Sequence, residues 1–468
     1  MIRSPMVRAH NLVRRLRALP GAVMDIQMMT SELRAAQSEL ADRADRAQAV
    51  RHDALLDAAN YAVRRQPLTR ARTRVLFLVH HIEAWDSLDG VVRALREAPD
   101  FEVIVASIPR HFRGSGGFVD EDLVHEGLVE RGIPHLRMRQ TTDADRLAVV
   151  RALSPDVIFR QSQWDADVPA AYSTRNLAFA RLCFISYEMI GFIENLPMDD
   201  VDNTAIDNRY HRAAWRVFCS SPLIKAIATR EGALGGGQFV VTGHPKADRL
   251  RSAEPLWPIR HDDGAEPRAR VVWSAHHSLT DEWISFGMAH LVAEGMLEWA
   301  RSSPDIDFVF MPHPALRPFI NDPSSPVTPE QADAFVEEWC ALPNATMFAK
   351  GDYAPVLAAS DALIVDGVSL LVEYQFQGKP LIFLERPGHR SFNEIGEIVM
   401  TGVHPAPDLE TAREIVQGFL SGEPDPLASR QRSNMKELFG DGSAADRIVA
   451  ELRAAVAQDR TCCHEGLP

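Results

Sequence analysis

Apolar and polar positions along this chain change their rhythm twice. From Met24 to Arg65, Ile26, Met29, Leu33, Ala36, Leu40, Ala44, Ala47 and Leu55 recur mostly three or four apart, with Glu, Asp and Arg between them. That spacing predicts an amphipathic helix able to pair with a second one, over 24–65. Gln66, Pro67 and Leu68 stop it, because proline lacks the amide that a helix interior needs. Ahead of it, Met1–Leu19 carries Arg3, Arg8, Arg14, Arg15 and Arg17, no acid, and Val7, Leu12, Val13, Leu16 and Leu19 interleaved. This reads either as a basic helix lying on an anionic membrane face or as a solvated arm.

From Arg74 the rhythm becomes short β-branched runs separated by helical stretches. Strands are predicted at Val75–His80, Glu102–Ile108, His135–Met138, Asp156–Arg160, Leu182–Ser186, Val217–Ser220 and Phe239–Thr242, with helices such as Leu88–Ala98, Glu121–Arg131 and Asp143–Leu153 between. A Pro- and acid-rich stretch near Ser252–Pro267 lacks periodicity. Alternation then restarts at Val271–Ser274, Phe308–Met311, Ala362–Val365 and Leu381–Leu384. Short apolar strands alternating with helices mean a parallel sheet covered on both faces. The expected α/β architecture is a helical segment over 1–66 and two Rossmann-like halves over 72–250 and 268–458. The halves face a cleft at their strand ends.

Composition narrows the function classes. A chain of 468 residues with 46% hydrophobic and 24% charged residues is an ordinary globular protein of two or three domains. Its net charge of -14 argues against a nucleic-acid partner. Cys183, Cys219, Cys340, Cys462 and Cys463 have no CxxC spacing, which fits a reducing compartment. No apolar run spans a membrane and no h-region follows the first arginines, so a cytoplasmic protein is expected.

Polar residues cluster just past strand ends. In Val365-Asp366-Gly367-Val368-Ser369 a strand runs into a turn, with Ser369 expected to cap a helix and Glu373 one turn on. Helix-start amides suit a diphosphate and Glu373 suits ribose hydroxyls, although Ser followed by an acid is also an ordinary capping box. Pro312-His313-Pro314 holds an imidazole at another strand end, able to touch phosphate or move a proton. His276 and His277 follow a third strand, with Ser278 and Thr280 as candidate caps. Zinc is the rival reading for those histidines, but there is no HExxH and the spacing carries little metal signal. Thr242-Gly243-His244-Pro245-Lys246-Ala247-Asp248 closes the first half beside the linker, and Arg160, Gln163, Trp164 and Asp165 form a further polar cluster. P-loop, GxSxG and dinucleotide fingerprints are absent.

In order along the chain, Gly243–Asp248, Pro312-His313-Pro314, Tyr353–Asp366 with Ser369, Glu373 and Tyr374, Gly378-Lys379-Pro380 and Leu438–Arg447 resemble the CDP-glycerol glycerophosphotransferase family, the teichoic-acid polymerase-like proteins. The resemblance spans Phe239–Leu452. It implies a glycosyltransferase-B fold, no required metal or cofactor, a CDP-linked donor in the second half and a glycan or lipid-linked acceptor. In that family an acceptor hydroxyl attacks the β-phosphorus and CMP departs. Carried over, His313 and His276 would work at the reacting phosphates. Gly243, His244, Asp248, His277, Ser278, Asp366, Gly367, Ser369 and Glu373 would hold the nucleotide.

Two departures matter. Active family members carry a Trp-His-Gly segment supplying a base, where this chain reads Cys183–Gly191 with Glu188 as the obvious substitute. The family's Asp-Tyr-Ser-Ser turn is here Asp366-Gly-Val-Ser369. A nucleotide-sugar glycosyltransferase is therefore the alternative, and an inactive interaction protein working through its N-terminal helix is the third reading. Peripheral contact with the inner membrane face and oligomerisation through 24–65 complete the expectations.

Overall fold

The computed structural model describes residues 5–64, 66, 68–112, 115–194, 203–262, 266–281 and 284–461, without the side chains of 5–12, 14–27, 32 and 461. Residues 1–65 form one unit and 66–468 another. The first is a single helix, Pro5–Arg64. It runs on through Pro20 and Gly21, where the sequence pattern suggested two segments. The membrane-facing arrangement of Arg3–Leu19 lies outside the described side chains. Met29, Leu33, Leu40 and Leu55 are all exposed on this helix.

Among the described residues of the second unit, the strands form two sheets. The first contains β1 (Thr73–Val79), β2 (Phe101–Ser107), β3 (Leu136–Arg137), β4 (Val157–Arg160), β5 (Arg181–Phe184), β6 (Arg216–Cys219) and β7 (Phe239–Val241). The second contains β8 (Ala269–Ala275), β9 (Ile306–Pro312), β10 (Ala345–Met347), β11 (Ala362–Val365), β12 (Leu381–Leu384) and β13 (His404–Ala406). Their orders are 3-2-1-4-5-6-7 and 10-9-8-11-12-13, with neighbouring strands parallel. Each order reverses once, between β1 and β4 and between β8 and β11, and a crevice opens at the carboxyl ends there. Val75–Val79 and Ala362–Val365 are almost wholly buried, as strands covered on both faces must be. The short edge strands β10 and β13 carry too few apolar residues to stand out in the sequence.

Contacts of several kinds join the halves. Lys246, in the helix Pro245–Arg251, is 3% exposed. Its Nζ lies 3.0 Å from Glu373 Oε1 and donates to Tyr353 Oη at 3.0 Å, while Tyr353 donates to Glu373 Oε2 at 2.6 Å. Asp86 stands 3.8 Å away on the other side. Burial works against the ammonium, but Asp86 and Glu373 hold it protonated well above the usual lysine range.

Secondly, the helix Ala444–Thr461, which follows the second sheet, returns to the first. Ala445, Ile448, Val449 and Leu452 pack with Val91, Val92 and Leu95 in one core. Asp248 caps its start by accepting from Ala444 N at 2.7 Å and Ala445 N at 3.3 Å. Arg447 Nε donates to the Thr242 carbonyl at 2.6 Å. Gly243 allows this approach: its φ is 77°, and a Cβ there would stand 2.7 Å from Arg447 Nη2. Thirdly, Phe192 stacks on Phe392, and Asn393 donates to the carbonyls of Gly191 and Ile193.

The linker is anchored rather than loose. Trp257 is 8% exposed, and both its indole N–H and His261 reach Asp307.

Lys246→Met should cost about 3–5 kcal/mol, because it leaves the Glu373 carboxylate buried without its cation. Lys246→Met combined with Glu373→Leu should recover most of that loss. Denaturant unfolding of both variants checks this. A double variant no more stable than the single one would show that the ion pair is not what fixes this contact.

Candidate functional site

Each reversal point gathers a histidine cluster. In the second half, β8 ends at Ala275 and delivers His276 and His277, and β9 ends at Pro312 and delivers His313. The ring centroids of His277 and His313 are 4.4 Å apart, and those of His276 and His313 5.2 Å. β11 brings Asp366 beneath them. Its oxygens accept from His276 N at 2.6 Å and Met288 N at 2.5 Å, so this buried carboxylate fixes the loop. Burial pushes its pKa up to about 7. Gly367 faces the His276 ring, whose Cδ2 would lie 3.2 Å from an added Cβ.

The backbone dictates how two of these imidazoles present themselves. His276 Nδ1 accepts from Ser278 N at 3.2 Å and sits 2.8 Å from Ser278 Oγ. That hydroxyl oxygen itself accepts from Phe286 N and Gly287 N, which leaves its proton for Nδ1. His313 Nδ1 accepts from Ala315 N at 3.0 Å. A neutral ring whose Nδ1 lone pair is occupied carries its proton on Nε2. The pair therefore offers two N–H donors. Burial, then the His313 ring, lowers the pKa of His276 well below the usual range. His313 is pushed down to about 4, by burial first, with Glu83 pulling upward and His81 and Arg110 pushing further down. Those three residues belong to the first half, so the charge of that half is felt at His313.

In the first half, β1 delivers His80 and His81, whose rings are 4.3 Å apart. Gln161, just past β4, clamps their backbone. Its Oε1 accepts from both amides at 3.0 Å, and its Nε2 donates to the His81 carbonyl at 3.0 Å. Asp167 Oδ2 stands 3.9 Å from His81 Nε2 and accepts from Ser162 Oγ. Tyr187 lies against His81 at 4.7 Å and bonds Glu188, whose pKa burial raises. Arg110 is buried and held by Glu83 at 2.6 Å and Asp120 at 3.0 Å.

The residues expected from sequence therefore separate into three places. His276, His277, Ser278, His313, Asp366 and Gly367 come together at the second reversal point. Glu188 lies at the first, beside His81 and Asp167. Gly243, His244, Asp248 and Glu373 belong to the contact between the halves: His244 Nε2 bonds the Ser186 carbonyl at 2.9 Å and its Nδ1 accepts from Lys246 N.

Three local expectations are corrected. Ser369 is the first residue of the short helix Ser369–Glu373 rather than its cap, and no side chain caps that helix. Ser278 and Thr280 cap no helix, because the next one begins only at Ala289. Glu373 is occupied by Lys246 and Tyr353. His80, His81, Glu83, Arg110 and Asp167 were not singled out from the sequence. The available signal was the His-His doublet at the end of a buried strand, repeated at 276–277.

No family model matches the sequence, and no curated protein matches it either. Solved structures do. A Listeria monocytogenes protein assigned as a UDP-N-acetylglucosamine 2-epimerase is similar over 83% of this chain and 98% of its own, at 17% identity and a TM-score of 0.53. The UDP-GlcNAc 2-epimerase from Neisseria meningitidis, bound to UDP-GlcNAc, is similar over 82% and 100%, at 14% identity and 0.52. The wall teichoic acid polymerase TagF is similar over 84% and 90%, at 10% identity and 0.50. At these identities the likeness is one of fold: two Rossmann-like halves of glycosyltransferase-B type, preceded here by a helix. No described helix is long and apolar enough to cross a membrane.

The lowered pKa of His313 has a defined sign. A group whose folded pKa lies below its ordinary 6.5 contributes stability that is full above about pH 6.5 and lost as pH falls towards 4. Unfolding midpoints at pH 7.5 and 5 should fall further for the wild type than for His313→Gln. Equal losses would show that His313 keeps an ordinary pKa.

Proposed function

We propose that this chain is an enzyme that binds a nucleotide-diphosphate-activated donor against the ends of β8, β9 and β11 and passes a group from it to an acceptor seated over the first half. One observation carries the reading: His276 and His313, clustered at a sheet's reversal where phosphate oxygens are commonly held, each keep a neutral Nε2–H donor because a backbone amide occupies Nδ1. Neutral donors positioned beforehand stabilise charge developing on a phosphoryl group without reorganising. Glu188, its pKa raised by burial and the Tyr187 hydroxyl bonded to it, would take the acceptor proton.

A CDP-activated polyol phosphate such as CDP-glycerol is the donor favoured by the ordered motifs from Gly243 to Arg447. Transfer then joins the acceptor oxygen to the β-phosphorus as CMP leaves. A nucleotide-sugar donor is the second reading, favoured by the neighbour bound to UDP-GlcNAc. The acceptor would be a surface glycan or its lipid-linked precursor, met at the inner face of the cell membrane. The long helix would join copies of the chain through Met29, Leu33 and Leu40, which lie exposed at spacings of four and seven.

A thermal-shift panel of CDP, CMP, UDP, GDP, ADP and CDP-glycerol tests the donor. Ligand at a hundred times its Kd stabilises the fold by about 2.7 kcal/mol. A cytidine-selective shift supports the first reading, a UDP- or GDP-selective shift the second, and no shift overturns both. His313→Ala should reduce donor turnover by orders of magnitude with the fold intact; turnover like the wild type would sink the site. Removing residues 1–65 should lower the oligomer size seen by light scattering and leave donor binding in place. Lost donor binding in the shortened protein would refute this division of labour.

A further inference from the structure

Two three-residue clusters in the described structure bring nitrogen and oxygen ligand atoms within 4.8 Å of one another: His276, His277 and His313, and His80, His81 and Asp167. Their chemistry differs. In the first, Nδ1 of His276 and of His313 accept backbone N–H bonds, so their protons sit on Nε2. Ligation through Nε2 would require the proton to leave or move to Nδ1 at the expense of those bonds. That cluster is built to donate to an anion.

In the second cluster the imidazole nitrogens are left open. His80 is fully buried, and neither ring nitrogen has a partner at good hydrogen-bond geometry, the Leu78 backbone being its one polar neighbour of that kind. Nε2 of His81 is also buried without one. Orphaned buried polar atoms cost stability unless something satisfies them. A water could serve one nitrogen, but a carboxylate aimed at the same point favours a cation. Asp167 supplies it, oriented by Ser162 Oγ. Gln161 holds the backbone of both histidines, so the ligands come ready placed.

The arginines nearest the cluster are each ion-paired. Arg160 and Arg110 act on His80 after its neighbour His81, and each arginine is paired: Arg110 with Glu83 and Asp120, Arg160 with Asp165 at 2.8 Å.

We infer that His80, His81 and Asp167 form a binding site for a divalent first-row transition-metal ion of the zinc class. Two imidazoles and one carboxylate are a donor set such ions favour over magnesium or calcium. Tetrahedral ligands around zinc stand about 3.3 Å apart, so the three atoms draw together from their present spacing as the ion binds. Three protein ligands leave a further coordination position open. The inference does not depend on the nucleotide reading, and it replaces the metal independence expected from the family resemblance.

Metal content by mass spectrometry, Co2+ absorption spectra and thermal shifts with Zn2+, Co2+, Mg2+ and Ca2+ test it on the full chain after chelation and dialysis. We expect about one Zn2+ or Co2+ per chain, a d–d spectrum of a four- or five-coordinate site, and no comparable shift with Mg2+ or Ca2+. Asp167→Asn and His81→Gln should each weaken Co2+ binding at least tenfold, and His313→Gln should not. Circular dichroism confirms that each variant is folded. If the wild type holds no ion and gives no Co2+ spectrum, the inference is overturned. It is equally overturned if binding survives in Asp167→Asn and His81→Gln but is lost in His313→Gln. Because the readout is the ion itself, the nucleotide panel can succeed or fail separately.

Discussion

The arrangement rests on one buried charge. Lys246 leaves water at the start of a helix in the first half and finds its partners, Glu373 and Tyr353, in the second. A buried ammonium is tolerated only with a carboxylate at hand, so the two sheets cannot separate there without exposing or stranding an ion. The same turn supplies Gly243, which admits Arg447, His244, which bonds the β5–β6 side of the fold through Ser186, and Asp248, which caps the returning helix. The motif read as nucleotide-binding is thus the fastening between the halves. Its residues keep the two reversal points facing each other.

Given that fastening, the chemistry follows from where parallel strands end. β1 and β8 occupy equivalent positions in the two sheets, and each ends in a His-His doublet. What differs is the partner that each doublet meets. At β8 the following residues turn back, and the Ser278 amide fills the Nδ1 position of His276. At β1 the side chain of Gln161 takes over the backbone amides and leaves the His80 ring nitrogens bare. Equivalent sequence at equivalent strand ends therefore yields an anion-donating face in one half and a cation-ready face in the other.

The sequence was most legible where burial is greatest. Runs such as Val75–Val79, Val271–Trp273 and Ala362–Val365 have no polar interruptions, so strands and sheet class could be read directly. Edge strands β10 and β13 escaped, since Ala345–Met347 and His404–Ala406 carry no distinctive run. The site was read only in part. His276 and His313 stood out because histidines at strand ends are rare in a core. Asp366, Glu373 and Asp248 looked like ligand carboxylates, and only three-dimensional contact shows that backbone amides and a lysine already occupy them. Asp167 could not be linked to His80 and His81 from sequence at all, since a long stretch of chain separates them and topology alone makes them neighbours.

The helix Ala444–Thr461 bears on how the molecule is made. It completes a core layer of the first half, yet it is translated after the whole second half. When β7 has been synthesised, the helix Asp89–Glu97 therefore still lacks the partner that packs with Val91, Val92 and Leu95. That apolar surface stays uncovered until the second half has been synthesised, so the core of the first half is completed by residues that follow the second in the chain.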